Sequence, residues 1–453
     1  MNPFEDLHGV TEELTAIRCL LVTDDPATIR DELADHPVQD IADLLERLDL
    51  PSRVRVFSAL EQERADEVFS YLEPDAVAEL TSELPEDQVR HLLAALDPDD
   101  RAALFLALPS ALGARLRGLL SREDADELAR LLDFPEDSVG RRMNPDVVVV
   151  RAGWTVAKAL DHIRSFEERE DAVTVVHVVD ARGVLQDALR LRHFVFAEPQ
   201  TLVRDIMQEQ PCVRIRADAD QEEAVRMIRH YDLLSLPVVN EHEVLLGLVS
   251  IDDVMDMAEE EYTEDFHKLG SVGAVPGGMR DATMGLLFRQ RVGSLLVLVL
   301  MSAGTVFAMS HFEETLASAL ALMFFLPLLI DSSGNAGSQA ATLMVRALAT
   351  GDVEARDWLR LLGRELLVAS MLGAVMALGA ATLAWWRSPE VLWIVAVTMF
   401  LTVITGGLLG ILLPTLLSRC RLDPATASVP LITSLADVSG VVIYFSIASV
   451  WLG

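Results

Sequence analysis

The sequence predicts a multidomain protein: an all-α N-terminal helical solenoid, a central α/β pair of modules, and an all-α transmembrane bundle of five helices. Three observations predict it. The first is an uneven charge along a 453-residue chain of net charge −33. From Arg280 onward there are 10 basic and 11 acidic residues, which leaves 27 basic and 59 acidic residues in Met1–Met279. The second is leucine at every twelfth position from Leu48 to Leu132. The third is that apolar runs of about 20 residues, the length that crosses a bilayer, are confined to the stretch after Arg280.

The N-terminal domain is expected over residues 1–135. Leu48, Leu60, Leu72, Leu84, Leu96, Leu108, Leu120 and Leu132 mark its repeat, and Pro51, Pro74, Pro85, Pro98 and Pro109 open many of the units. Units such as EPDAVAELTSEL and DPDDRAALFLAL place an acid and a proline before apolar residues at helical spacing. Proline suits the first helical turn and carboxylates suit its positive end. The repeat therefore reads as short helices stacked into a solenoid. So acidic a body repels nucleic acid and attracts cations, and no nucleic-acid partner is expected. Cys19, Cys212 and Cys420 share no metal-ligand spacing and read as thiols of a reducing compartment. The opening MNPFEDLHGVTEEL, without basic start or apolar core, reads as lacking a signal peptide.

From about Phe134 the texture changes to strands alternating with helices. VTVVHVVD (Val173–Asp180) and LSLPVVNEHEVLLGLVSIDDVMD (Leu234–Asp256) are apolar runs bounded by turn residues. Two copies are expected, over about 141–199 and 200–258, within a pair spanning 136–258. A connecting helix over 259–279 leads to the membrane part, 280–453.

The five spans read as Val292–Ser310, Thr315–Val345, Leu366–Trp386, Val391–Leu417 and Ala425–Leu452. Arg280, Arg289, Arg291, Arg346, Arg356, Arg360, Arg364, Arg419 and Arg421 fall on one side and Arg387 alone on the other. The positive-inside rule then puts the N-terminal body in the cytoplasm and the C-terminus outside a plasma (inner) membrane. Trp385, Trp386, Trp393 and Trp451 sit near the outer edge, as interfacial aromatics do. The second span, at about 46 Å as continuous helix, either extends into the cytoplasm or breaks near Pro327 and Gly334.

That second span holds the stretch LPLLIDSSGNAGSQAAT (326–342). Asp331, Asn335 and Gln339 are spaced by four and share a helix face. The fifth span carries one charge, Asp437, near its middle, where a carboxylate is costly unless it faces water, a cation or a partner. Oxygen donors without thiols or imidazoles suit a hard cation such as Mg²⁺. The bland reading is interhelical polar contact, with Gly334 and Ser338 as small residues. Gly406, Gly407 and Gly410 read as a close helix contact.

The central pair resembles CBS modules, which often bind adenine nucleotides. Gly247, Ser250 and Asp253 match the pattern of the second copy's nucleotide site, and GVLQDALR (Gly183–Arg190) of the first lacks the hydroxyl and the Asp. One site at most is implied, for ATP or another adenine nucleotide, with Ser250 and Asp253 on the ribose. The whole chain resembles the MgtE family of Mg²⁺ transport proteins. FPEDSVGRRMN (Phe134–Asn144), EEEYTEDFHKLGSV (Glu259–Val272), PLLIDSSGNAGSQAATLMVRAL (Pro327–Leu348) and DPATASVPLITSLADVSGVVIYF (Asp423–Phe445) carry the likeness. It implies a homodimer in the lipid bilayer, a plug helix after the CBS pair, and Mg²⁺ as both cargo and regulator. It assigns Asp437 to the pore carboxylate and Asn335 to a polar pore position. Glu261, Glu264 and Asp265 are assigned to cytoplasmic sensing, with Asp253 and Asp256 as further candidates. Asp331 stands where the family commonly has glycine.

An enzyme is not expected. The nearest approach to a His-Glu-x-x-His motif, at His242-Glu243, has Leu246 in place of the second histidine. Transport of Co²⁺, Mn²⁺ or Zn²⁺ by the same architecture is the alternative, followed by a membrane-anchored nucleotide sensor without transport.

Overall fold

The computed structural model of the chain describes residues 26–165, 174–208, 211–275, 282–353, 357–420 and 422–452. Cys19, Val173, Arg280, Arg356 and Arg421 lie outside the described residues. The chain forms two compact units, Met1–Met257 and Ala258–Gly453.

The first unit opens with α1 (Pro26–Leu33), α2 (Val38–Arg47), α3 (Leu50–Ala59), α4 (Gln62–Ser70) and α5 (Pro74–Glu83). It continues with α6 (Glu86–Ala95), α7 (Pro98–Ala107), α8 (Ser110–Arg117) and α9 (Arg122–Leu132). From α2 onward each helix starts twelve residues after the last. The repeating leucine is the residue that ends the helix. Leu48, Leu60, Leu84, Leu96 and Leu108 are C-caps in extended conformation, and all of these except Leu60 are buried. An extended, inward-pointing leucine stops the helix and anchors the turn to the core. Pro51, Pro74 and Pro98 occupy the first helical turn, whereas Pro85 and Pro109 are N-caps.

Helices of ten residues are marginal alone, so packing must hold them. The contacts join alternate helices: α1 to α3, α2 to α4, α3 to α5, α4 to α6 and α7 to α9. Phe57, Phe69, Leu80, Leu92 and Leu93 lie in the resulting core. Two buried arginines tie the stack. The Arg53 guanidinium donates to the carbonyls of Leu45, Glu46 and Leu48 and to Glu79 (2.6 Å). It thereby satisfies carbonyls that the end of α2 leaves without helical partners. Arg101 likewise pairs with Asp124 (2.8 Å) and Glu127 (3.4 Å).

The α/β part holds two modules of one plan. The first has β1 (Val149–Arg151), α10 (Val156–Arg164), β2 (Val175–Val179), β3 (Leu185–Arg190), α11 (Leu191–Phe196) and α12 (Val203–Ile206). The second has β4 (Ile215–Arg216), α13 (Gln221–Tyr231), β5 (Ser235–Val239), β6 (Leu245–Ser250) and α14 (Ile251–Leu269). Each sheet pairs its first strand parallel and its third antiparallel to the middle strand, with register shifts at Val178/Val179 and Val238/Val239. The copies are offset by 60 residues, from Val175 to Ser235 and from Leu185 to Leu245. By that offset Asp187, Arg190 and His193 stand where Gly247, Ser250 and Asp253 stand in the second copy.

His177, on β2, is fully buried. Burial pushes its imidazole down to about 4, so the folded module disfavours the charged ring. The unfolded chain binds that proton near pH 6.5, and stability therefore falls as pH drops from about 6.5 to about 4. The shift corresponds to about 3 kcal/mol. His177→Leu is expected to flatten this limb in pH-dependent melting, and an unchanged limb in the variant would contradict it.

The second unit holds α15 (Met284–His311), α16 (Glu313–Ser318), α17 (Ala321–Ala349), α18 (Trp358–Arg387), α19 (Leu392–Arg419) and α20 (Val429–Leu452). Four of these (α15, α18, α19 extended by its leading 3-10 turn, and α20) are long and apolar enough to cross a membrane. The fifth, α17, is 29 residues long and packs against α19 and α20; its polar stretch lowers its hydropathy. The second span is thus unbroken at Pro327 and Gly334. Its discontinuity lies earlier, between α16 and α17. Proline in a helix frees only the carbonyl one turn back, and Gly334 here serves a close helix contact.

Candidate cation pathway and acidic clusters

The polar stretch of α17 divides into two faces. Ser332, Ser333, Gly334 and Gly337 are buried, and Asp331, Asn335 and Gln339 are exposed. The buried half is a packing surface. Ser333 Oγ donates to the Thr402 carbonyl at 2.9 Å. A Cβ at Gly406 would stand 2.2 Å from the Ser333 carbonyl oxygen, and one at Gly410 2.3 Å from that of Gly337. Only glycine allows α17 and α19 this approach, as the sequence spacing anticipates. On the other side Ser338 and Thr433 hydroxyls meet at 3.1 Å.

Asp437 reaches this stretch from α20. Its Oδ1 lies 3.7 Å from where a Gly334 Cβ would stand, and that oxygen is buried with no hydrogen-bond partner among the described residues. Asp331 stands one turn before Gly334 on the same helix. Asn335 Nδ2 donates to Asp331 Oδ2 at 3.0 Å. The structure therefore brings Asp437, Asp331 and Asn335 together, and Gln339 sits two turns from Asp331 on the same exposed face.

Of the acids assigned to sensing, Asp253 and Asp256 lie in the first unit. The backbone N–H of Ser250 donates to Asp253 Oδ2 at 3.1 Å, its hydroxyl donates to the same oxygen, and the Asp253 N–H donates to Ser250 Oγ. This closes the first turn of α14 as a reciprocal cap, so the two residues implied for a ribose already satisfy each other. Facing them are Asp99 and Asp100 at the start of α7. Burial, then Asp253, Asp97, Asp252 and Asp256, pushes Asp100 up to about 7. Burial and Asp253 likewise hold Asp99 well above the usual carboxylate range, and burial raises Asp253 against its bonds to Ser250. Sequence reasoning missed Asp99 and Asp100, because DPDD reads as ordinary first-turn acids of a repeat helix.

Glu261, Glu264 and Asp265 lie in the second unit on the same helix, α14. Lys268 Nζ donates to Glu264 (2.8 Å) and to Asp423 (2.6 Å), and the Ser271 hydroxyl donates to Ser428 (2.6 Å). Burial, then Asp423, pushes Asp265 up to about 6, with Lys268 opposing. Asp423 and Lys268 were also unassigned by sequence. Among the described residues no three His, Cys, Asp or Glu side chains stand in an arrangement that holds a metal ion as it is. These clusters are carboxylates in excess of their cations rather than finished ligand cages.

Three family models match: the MgtE divalent cation transporter over residues 326–447, the MgtE intracellular N domain over 36–137, and the CBS domain over 203–260. The magnesium transporter MgtE of Thermus thermophilus is 39% identical over 339 residues, 75% of each chain. The chain belongs to the MgtE family. The Bacillus subtilis magnesium transporter MgtE is 32% identical over 326 residues, 71% of each chain. Part of the chain is similar to the cytosolic domain of the Mg²⁺ channel MgtE in complex with ATP, at 34% identity and a TM-score of 0.51. That match covers 54% of this chain and 99% of the other. Inosine-5'-monophosphate dehydrogenase of Helicobacter pylori aligns over 112 residues at 30% identity, 24% of this chain. These MgtE relatives are transporters and not enzymes, and this MgtE-family chain is a multi-pass membrane protein with a soluble N-terminal part.

Proposed function

We propose that the chain carries Mg²⁺ inward across the plasma (inner) membrane through a homodimeric pore, and that Mg²⁺ binding to the acidic cytoplasmic domains closes it. One observation carries the reading: Asp331, Asn335 and Gln339 form an exposed polar face on a largely apolar helix, beside a buried oxygen of Asp437 that has no hydrogen-bond partner among the described residues. Facing lipid, such a face would leave the carboxylate and amide atoms beyond the Asn335–Asp331 bond without partners, at a cost of several kcal/mol. A second copy of the same face, enclosing water, removes that cost. Asp437 is then the charged ligand for the cation's hydration shell, and Asn335 and Gln339 supply neutral oxygens. Mg²⁺ dehydrates reluctantly, so a wide polar path with few carboxylates suits it. The arginine asymmetry supports a cytoplasmic N-terminal body and an external C-terminus, and the membrane potential, at about 2.3 kcal/mol per charge per 100 mV, drives the ion inward.

For regulation, two separate sets of acids are those whose internal repulsion Mg²⁺ would relieve: Asp99, Asp100, Asp253 and Asp256 in the first unit, and Glu261, Glu264 and Asp265 in the second. The helix α14 carries acids of both sets, and its second half is the plug. An adenine nucleotide at Ser250 and Asp253 of the CBS pair is the accompanying reading, supported by the relative solved with ATP.

Flux into proteoliposomes tests the transport step. Purified protein under an inside-negative potential is expected to load an internal Mg²⁺ dye, with excess Co²⁺, Mn²⁺ or Zn²⁺ competing weakly. Dominant uptake of one of those ions favours the alternative cargo, and no flux of any divalent ion refutes transport.

A further inference from the structure

We propose that Asp331 is a positioning residue for the cation path: by accepting the Asn335 amide N–H it holds the Asn335 carbonyl oxygen toward the passing ion. This rests on the pore reading above and assigns a role within it. The argument is one of hydrogen-bond chemistry. A carboxylate only accepts, so the Asn335 group 3.0 Å from Asp331 Oδ2 must be the NH₂ end. The amide's other end, Oδ1, is thereby turned away from Asp331 on a side chain that is exposed at the polar face. An unheld Asn side chain presents either end, and its NH₂ end carries partial positive charge that repels a cation. The pair is spaced by four on one helix, the separation at which side chains meet, so the geometry survives small motions of α17 against its neighbours. Gly334 between them leaves room for Asp437 to approach. Asp331 thus acts on the ion twice, through its own charge beside Asp437 and through the orientation of Asn335.

The two contributions separate by substitution. Asp331→Asn keeps an oxygen that can accept from Asn335 but adds an NH₂ that can donate to it, so it removes the charge and weakens the orientation. Asp331→Gly removes both. In the proteoliposome assay Asp331→Gly is expected to raise the half-saturating Mg²⁺ concentration about tenfold and Asp331→Asn about threefold, roughly 1.4 and 0.6 kcal/mol of ion binding. The effect is read from the half-saturating concentration, and the maximal rate is taken from the same curves. Asp331→Gly with wild-type half-saturation overturns the proposal. An Asp331→Gly effect that is equally large in an Asn335→Ala background overturns the positioning role. A collapse of the maximal rate in the nearly isosteric Asp331→Asn also overturns it. An Asp437→Ala control that transports normally overturns the pore reading beneath it instead.

Discussion

Asp437→Ala is expected to abolish Mg²⁺ uptake in proteoliposomes while the protein still inserts and assembles. Asp437 is the only formal charge on α20, and its Oδ1 is buried without a partner among the described residues. No folded-state hydrogen bond to that oxygen is lost on its removal, so stability is expected to change little or to rise. The pathway, by contrast, loses its central negative charge. At an effective dielectric near 20 a divalent ion about 5 Å from one carboxylate gains about 7 kcal/mol, and even a fraction of that sets whether the ion enters. Uptake is read from the dye signal, and assembly from size-exclusion chromatography of the same preparation. Normal uptake in the variant removes Asp437 from the pathway; loss of the oligomer peak assigns it a structural role instead.

The second large effect concerns the soluble part. A fragment spanning Met1–Gly270 is expected to contract in small-angle scattering when Mg²⁺ is raised to millimolar levels. The contraction should be lost in an Asp100→Asn, Asp253→Asn double variant, which is compact without the ion. Two carboxylates about 5 Å apart repel by about 3 kcal/mol at that dielectric, and the raised pKa values of Asp99, Asp100 and Asp253 record such repulsion on top of burial. A cation bound only in the compact arrangement shifts the population by its differential affinity. Identical dimensions with and without Mg²⁺ end the gating reading while leaving the pore untouched.

Much of this is legible in the sequence where the signal is periodic. Leucines twelve apart fix the solenoid, because a helix that must end on an inward residue repeats with its turn. Apolar length and arginine placement locate the spans, and an isolated Asp437 among apolar residues marks itself. What stays hidden depends on contacts between distant residues. Lys268 and Asp423 are 155 positions apart, and Asp253, whose charge acts on Asp100, is far from it in the chain. The start of α17 was also obscured, since Thr315–Val345 is apolar throughout its first half and the break after α16 has no proline or glycine to announce it. Local composition indicated Pro327 and Gly334 instead, where tertiary packing keeps the helix intact.

The alternating contacts of the solenoid constrain how this domain can change length. Through α1–α6, and again between α7 and α9, a helix packs on the second one along, so two twelve-residue units make one geometric step. Arg53 reaches Glu79 and Arg101 reaches Glu127 across the same separation of 26 residues, and the two arginines stand 48 positions, two full steps, apart. An insertion of five or eight residues would displace every later leucine from its turn. One of twelve would restore the turns but move each following helix to the opposite layer, away from its ion-pair partner. Only additions of twenty-four keep both, so the length of this domain is quantised, and viable relatives of this architecture should differ by whole pairs of helices.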